Sequence, residues 1–159
     1  MDKNVLDSVY IAGELVVLDL EAVDDQDAID KLAHHMYDRG IVKESYIDAV
    51  KEREKVFSTG LPCADFGVAI PHTDIDHVNR DAVGIAILKN PVNFKMMGTP
   101  DVEIETKMMF MLALKTPHGQ LAFLSSLMEI FQEEGSLASL VNLTDKDEIA
   151  SQFKKLLAK

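Results

Sequence analysis

The chain has little cysteine, little positive charge and no long apolar run. Cys63 is its only cysteine, so no internal disulfide can form and a cysteine-based zinc site lacks its ligands. Lysine and arginine number 16 against 27 aspartates and glutamates, a net charge of −11. That balance argues against nucleic acid, whose binding rests on basic side chains neutralising phosphates, and against docking on anionic lipid. A protein partner with a basic or apolar face fits it better. No apolar stretch approaches the ~20 residues of a membrane span, which argues against direct membrane insertion. Met1-Asp2-Lys3-Asn4 has neither the charged nor the apolar region of a signal peptide. The sequence therefore reads as cytoplasmic. Internal repeats and low-complexity segments are missing, and so is any nucleotide loop of the Walker type.

What remains is an ordinary globular composition. The 159 residues, 47% of them hydrophobic, suit one domain, 1–159, with one core. Residues 1–14 are ambiguous between a short helix and a strand. Residues 14–20 (ELVVLDL) form a β-branched run that predicts a strand. Asp24 or Asp25 caps a helix running to Arg39, with Gly40 as its stop. Ile29, Leu32, Ala33 and Met36 give that helix one apolar face. His34 and His35 are adjacent and point about 100° apart, so they read as surface or boundary residues. A second helix covers 43–55, with Tyr46, Ile47 and Val50 inward. Lys51-Glu52-Arg53-Glu54-Lys55 reads as its solvated face. Residues 57–62 form a loop.

Residues 68–70 and 82–88 are short apolar runs that predict buried strands. Residues 73–81 suit a loop or a short helix, and 89–100 an irregular excursion around Pro91, Gly98 and Pro100. Residues 107–114 (KMMFMLAL) predict a third central strand, with methionine filling gaps in the core. A helix follows over 120–132, with Leu121, Leu124, Met128 and Phe131 on its inner face and Leu127 and Ile130 widening it, so that it reads as largely buried. A helical piece covers 136–141. Thr144 caps a last helix, whose stripe is Ile149, Phe153, Leu156 and Leu157. The order implies an α/β fold: a three-layer sandwich with a central mixed β-sheet flanked by helices.

Two histidines follow strand ends. Pro71 ends the first strand, because it has no N–H for a ladder, and His72 comes next. Strand C-termini in α/β sheets are where chemistry collects. His118 lies where 107–114 passes into the next helix, at an N-terminus able to hold an anion. If the two strands are neighbours, the histidines share one end of the sheet. A zinc ion on His72, His77 and Asp74 is a competing chemistry.

Arg53-Glu54, Thr59-Gly60-Leu61, Gly67-Val68-Ala69-Ile70-Pro71-His72-Thr73, and Pro117-His118 followed by Leu121 and Leu124 together resemble a known family. It is the enzyme IIA domain of the phosphoenolpyruvate-dependent sugar phosphotransferase system, in its fructose/mannitol branch, which also holds a nitrogen-regulatory homologue. The likeness covers about 5–157. Residues 57–74 look most like galactitol members, where a similar Thr-Gly-Leu-Pro segment precedes Ala-Ile-Pro-His. Ser58, where proline is frequent, and Cys63, in a variable place, depart from that pattern outside the core motif. The resemblance implies that His72 is the phosphorylated histidine, that Arg53 and His118 assist it, and that Thr59 lines the same pocket. It implies a phosphoryl relay with no cofactor and no metal. The group would come from the carrier protein HPr and pass to enzyme IIB, and so indirectly to the membrane enzyme IIC, for uptake of galactitol or a related sugar. A phosphorylation-dependent regulatory module is the alternative.

Overall fold

In β5 (Thr99–Ala113), Met108, Phe110 and Leu112 pack on one side of the sheet and Met109, Met111 and Ala113 on the other. Successive side chains of a strand point to opposite faces, so a strand apolar at every position needs cover on both. The computed structural model describes residues 7–159 and supplies that cover. The elements are β1 (Val16–Leu20), α1 (Asp25–Asp38), α2 (Glu44–Val56), β2 (Gly60–Leu61), β3 (Gly67–Ala69), β4 (Ala82–Met96), β5, α3 (Pro117–Gln132), α4 (Ser136–Val141) and α5 (Lys146–Ala158). Helices α1 and α2 pack on the face of Met109 and Met111, and α3, α4 and α5 on the other. The result is the three-layer arrangement expected. The ring of Phe110 lies 5.3 Å from that of Phe131 and 5.2 Å from that of Phe153, so it ties α3 and α5 to the sheet. Burying each such ring contributes about 1.5–3 kcal/mol.

The sheet is mixed. β1 runs parallel to β4, β4 antiparallel to β5, and β5 parallel to β3. β2 pairs antiparallel with β3, and its Gly60 also pairs with Met96 at the end of β4. For the site, the β3–β5 pairing matters most. Parallel neighbours end on the same edge, so the chain leaves both strands at one end of the sheet. Gly67 allows their close approach, because a Cβ there would collide with the Glu105 carbonyl.

Several elements depart from the sequence reading. Residues 89–100 are no excursion: they form the outer half of a long hairpin turned at Gly98, whose φ is +75°. Val92 and Phe94 are buried between exposed neighbours, the alternation of a strand. Pro91 is tolerated because it sits where the register shifts, between Ile87 and Val92. Residues 60–61, read as loop, are a short strand. Helix α3 starts at Pro117 instead of 120, since the Thr116 side chain accepts from Gly119 N and proline suits the first turn. Its inner face is Phe123, Leu127, Ile130 and Phe131, while Leu121 is 69% exposed. The cap of α5 is Asp145, which accepts from the N–H groups of Asp147 and Glu148, and not Thr144. Helix α1 and its Gly40 stop, at φ +75°, match expectation. Of the ambiguous segment 1–14, residues 1–6, including Val5 and Leu6, lie outside the described part.

Candidate functional site

The Pro71 carbonyl accepts from Leu112 N at 3.1 Å, so the β3–β5 ladder holds the chain up to the residue before His72. Below it, the buried Tyr46 hydroxyl donates to the Leu112 carbonyl at 2.7 Å. His72 is thus carried by a rigid edge. Its ring is half-buried and opens on a cavity of about 350 Å³ lined by Arg53, His72, Thr73, Asp74, Pro117, Gln120, Leu121 and Leu124. That volume is at the small end for ligand pockets.

Nδ1 of His72 lies 2.7 Å from the Ile70 carbonyl oxygen. A carbonyl only accepts, so Nδ1 carries the proton and Nε2 keeps its lone pair. Burial holds the ring's pKa below the usual histidine value, and the nearby Arg53 charge adds to this, outweighing the bond to Ile70. At neutral pH the ring is an uncharged imidazole with one free nitrogen, which is a nucleophile.

Arg53 comes from the last turn of α2. Its guanidinium lies over the Phe57 ring, 4.5 Å from the centroid. Nη1 is 3.9 Å from Oδ1 of Asp74, a residue whose side chain is 76% exposed. A pair that long and wet contributes at most about 1 kcal/mol, so an incoming anion can displace Asp74. Among the described residues, Nε of Arg53 is the one buried side-chain nitrogen or oxygen with no hydrogen-bond partner in the chain. Leaving such a group unpaired costs about 1–3 kcal/mol.

His118 stands in the first turn of α3, exposed, one residue after Pro117 of the cavity wall. Its own ring is not among the cavity's lining residues. Thr59 does not line the cavity either. It is 3% exposed, and its hydroxyl donates to Glu54 Oε1 at 2.7 Å and accepts from Ile70 N at 3.2 Å. Glu54, read as solvated, is 4% exposed. It follows Ile47 and Val50 on the inner face of α2, and a buried partner, Thr59, receives it. Burial pushes its carboxyl up to about 7, against two bonds from Thr59 and with some help from the charge of Asp25. For the zinc alternative, no three potential ligands converge among the described residues; Nδ1 of His77 lies 2.8 Å from Ser45 Oγ. His34 pairs with Asp30 at the surface and His35 bonds the Glu14 carbonyl, neither near the cavity.

Two polar residues of the wall escaped the sequence reading. The side chains of Thr73 and Gln120 make no hydrogen bond to another described residue. Thr73 follows His72 directly. Gln120 was obscured because the helix was expected to begin with it; once Pro117 opens α3, Gln120 falls in the first turn beside the strand end. A free imidazole nitrogen, an under-bonded guanidinium and two unengaged polar side chains suit the binding and transfer of an oxyanion.

The chain as a whole is similar to known proteins. A mannitol-specific phosphotransferase enzyme IIA component from Staphylococcus aureus (strain MRSA252) is 28% identical over 149 residues, 93% of this chain and 97% of the relative. The galactitol-specific EIIA component of Escherichia coli (strain K12) is 24% identical over 123 residues, 77% and 81% of the two chains. In a solved complex of mannitol enzyme IIA with phosphorylated enzyme IIB from Escherichia coli, the matching chain superposes with a TM-score of 0.73 at 21% identity, covering 94% of this chain and 98% of its own. No described helix is long and apolar enough to cross a membrane. Residues 10–156 match the family model for the phosphoenolpyruvate-dependent sugar phosphotransferase system, EIIA 2, and the chain belongs to that family of phosphotransferase relay components.

Proposed function

We propose that the chain accepts a phosphoryl group on Nε2 of His72 from the phosphohistidine of HPr and passes it to enzyme IIB, serving uptake of galactitol or a related sugar. The observation that carries this reading is the Nδ1–H···O=C bond of His72, which leaves Nε2 free beside Arg53. The Nε2 lone pair attacks phosphorus, the donor's N–P bond breaks, and its electron pair returns to the donor nitrogen. His72 then holds phosphorus on Nε2 and a proton on Nδ1, so the ring is cationic and a good leaving group for the next transfer. The Ile70 carbonyl stabilises that cation. The transition state is loose, with charge spread over three equatorial oxygens, and in this reading Arg53, Thr73 and Gln120, which line the cavity with His72, donate to it. Transfer between protein side chains calls for no metal. A partner enzyme IIB is supported by the mannitol complex, and the sugar class by the galactitol-specific relative.

The pH dependence follows from the lowered His72 pKa. Near pH 6.5, the ordinary histidine value, the unfolded chain binds more protons than the folded one. His72 therefore contributes stability that is present above 6.5 and lost as pH falls through the lower folded value. The expected NMR titration midpoint of its ring lies below 6.5, and phosphorylation by phospho-HPr should hold its rate through 6.5 and fall only at lower pH. A midpoint at or above the free-histidine value contradicts this.

His118, exposed and one residue after Pro117 of the wall, would meet an arriving partner in this reading. His118→Ala should slow onward transfer to enzyme IIB about two- to tenfold, the worth of one hydrogen bond, and slow phosphorylation less. Rapid-quench assays in the two directions measure this. Unchanged rates in both would remove His118 from the mechanism. A purely regulatory role is the second reading, and a relay assay with candidate enzyme IIB proteins separates the two.

A further inference from the structure

We infer that Glu54 is a positioning residue for His72, acting through Thr59 and the main chain of Ile70. The inference rests on the reading of His72 as phosphoryl acceptor. Both oxygens of Glu54 are engaged: Oε2 accepts from Thr59 N at 2.7 Å and Oε1 from Thr59 Oγ1 at 2.7 Å. Thr59 Oγ1 accepts in turn from Ile70 N at 3.2 Å. The Ile70 carbonyl then takes the proton of His72 Nδ1 at 2.7 Å. A continuous path of hydrogen bonds runs from the buried face of α2, across the loop, to the imidazole.

A carboxylate is an odd choice for this place, since burying a charge is costly. Its use lies in direction. Ile70 N–H already donates to the Thr59 hydroxyl and Thr59 N–H to Oε2, so Oε1 is the acceptor left for the hydroxyl proton, a role that the ionised form of Glu54 fills because it only accepts. The hydroxyl then faces Ile70 N with its lone pairs alone. The Ile70 residue is pinned by its N–H, and its carbonyl is held where Nδ1–H must meet it. A carboxamide would leave one Thr59 link facing an N–H₂ group, and the hydroxyl would have to reverse. Glu54 also adjoins Arg53 in sequence. One turn of α2 therefore sends a cation outward into the cavity and a carboxylate inward to Thr59, whose hydroxyl meets the main chain just before His72.

The test uses the full chain with Glu54→Gln, Thr59→Val and Thr59→Ser. Long-range ¹H–¹⁵N spectra report the His72 tautomer in the unphosphorylated protein, and single-turnover assays with phospho-HPr report the rate. The wild type should show the proton on Nδ1. Thr59→Val and Glu54→Gln should give a mixed or exchanging tautomer and a phosphorylation rate about tenfold lower, with the half-saturating HPr concentration unchanged within about twofold. Thr59→Ser, which keeps the hydroxyl, should restore both. If Thr59→Val does not fold, Glu54→Gln, which keeps the side-chain volume and one bond, decides the matter. A wild-type tautomer and rate in Glu54→Gln, whatever its melting temperature, would make Glu54 a structural residue only and overturn the inference. The tautomer is read without any phosphoryl donor, so a failure of the transfer reading shows separately, as phosphorylation that does not need His72.

Discussion

His72→Ala should take up no phosphoryl group from phospho-HPr above background, a loss of at least about 10⁴-fold in rate. Removing the nucleophile of a group-transfer site has effects of that order or larger, because the remaining donors can hold the group but nothing forms the bond. The variant should still fold. His72 is half-buried, and the one hydrogen bond its ring makes, to the Ile70 carbonyl, is worth about 1 kcal/mol. The strand pairing beneath it, from Ala69 to the Pro71 carbonyl, is main-chain and survives the change. Unfolding therefore should not account for the loss, and circular dichroism alongside the assay checks that. Incorporation at even a few per cent of the wild-type rate would mean that another residue accepts the group, with His118 the first to examine.

Arg53→Lys should lower the single-turnover rate by about 10²-fold while leaving stability within about 1 kcal/mol. Charge is kept in this variant, so the expected fall isolates geometry. A guanidinium offers a planar fork of donors to a phosphoryl oxygen pair, and an ammonium is a point charge that cannot reproduce it. Removing one preorganised donor from a developing charge costs about 10²–10³ in rate. Lysine has no counterpart to the under-bonded Nε of Arg53. The stability side follows from the weak tether: an Nη1–Asp74 distance of 3.9 Å to a largely exposed carboxylate and a contact with the exposed Phe57 ring. A rate within about threefold of wild type would return Arg53 to the solvated face of α2.

Strand and helix existence was largely legible in the residues, and so was the position of His72 just past a strand end. The run Val68-Ala69-Ile70 closed by Pro71 marks a strand end, and the all-apolar 107–114 marks a central strand. That these two lie side by side and parallel was not readable from either one. Sequence order does not state which strands are neighbours. The hairpin over 89–100 was hidden by Asn90-Pro91, a turn signal that a register shift absorbs. Glu54 was hidden because a charged residue in a charged run reads as exposed, and only its partner Thr59, brought in from the next loop, explains its burial. Thr59 was expected at the pocket for its motif; its hydroxyl is instead spent between α2 and β3, one layer beneath. Leu121 was expected inside on helical phase, but α3 turns Phe123 and Leu127 inward. Leu121 consequently lies exposed in the cavity wall, and the exposed Phe57 ring lies against the Arg53 guanidinium of the same wall. An apolar rim around a cation suits a docking protein better than a free small molecule.

The most direct measurement is ³¹P and ¹⁵N NMR of the intact chain after phosphorylation by phosphoenolpyruvate, enzyme I and HPr. A single phosphoramidate should appear, with phosphorus on Nε2 of the His72 ring and the proton retained on Nδ1. Phosphorus on Nδ1 of that ring, or on any other side chain, would contradict the account.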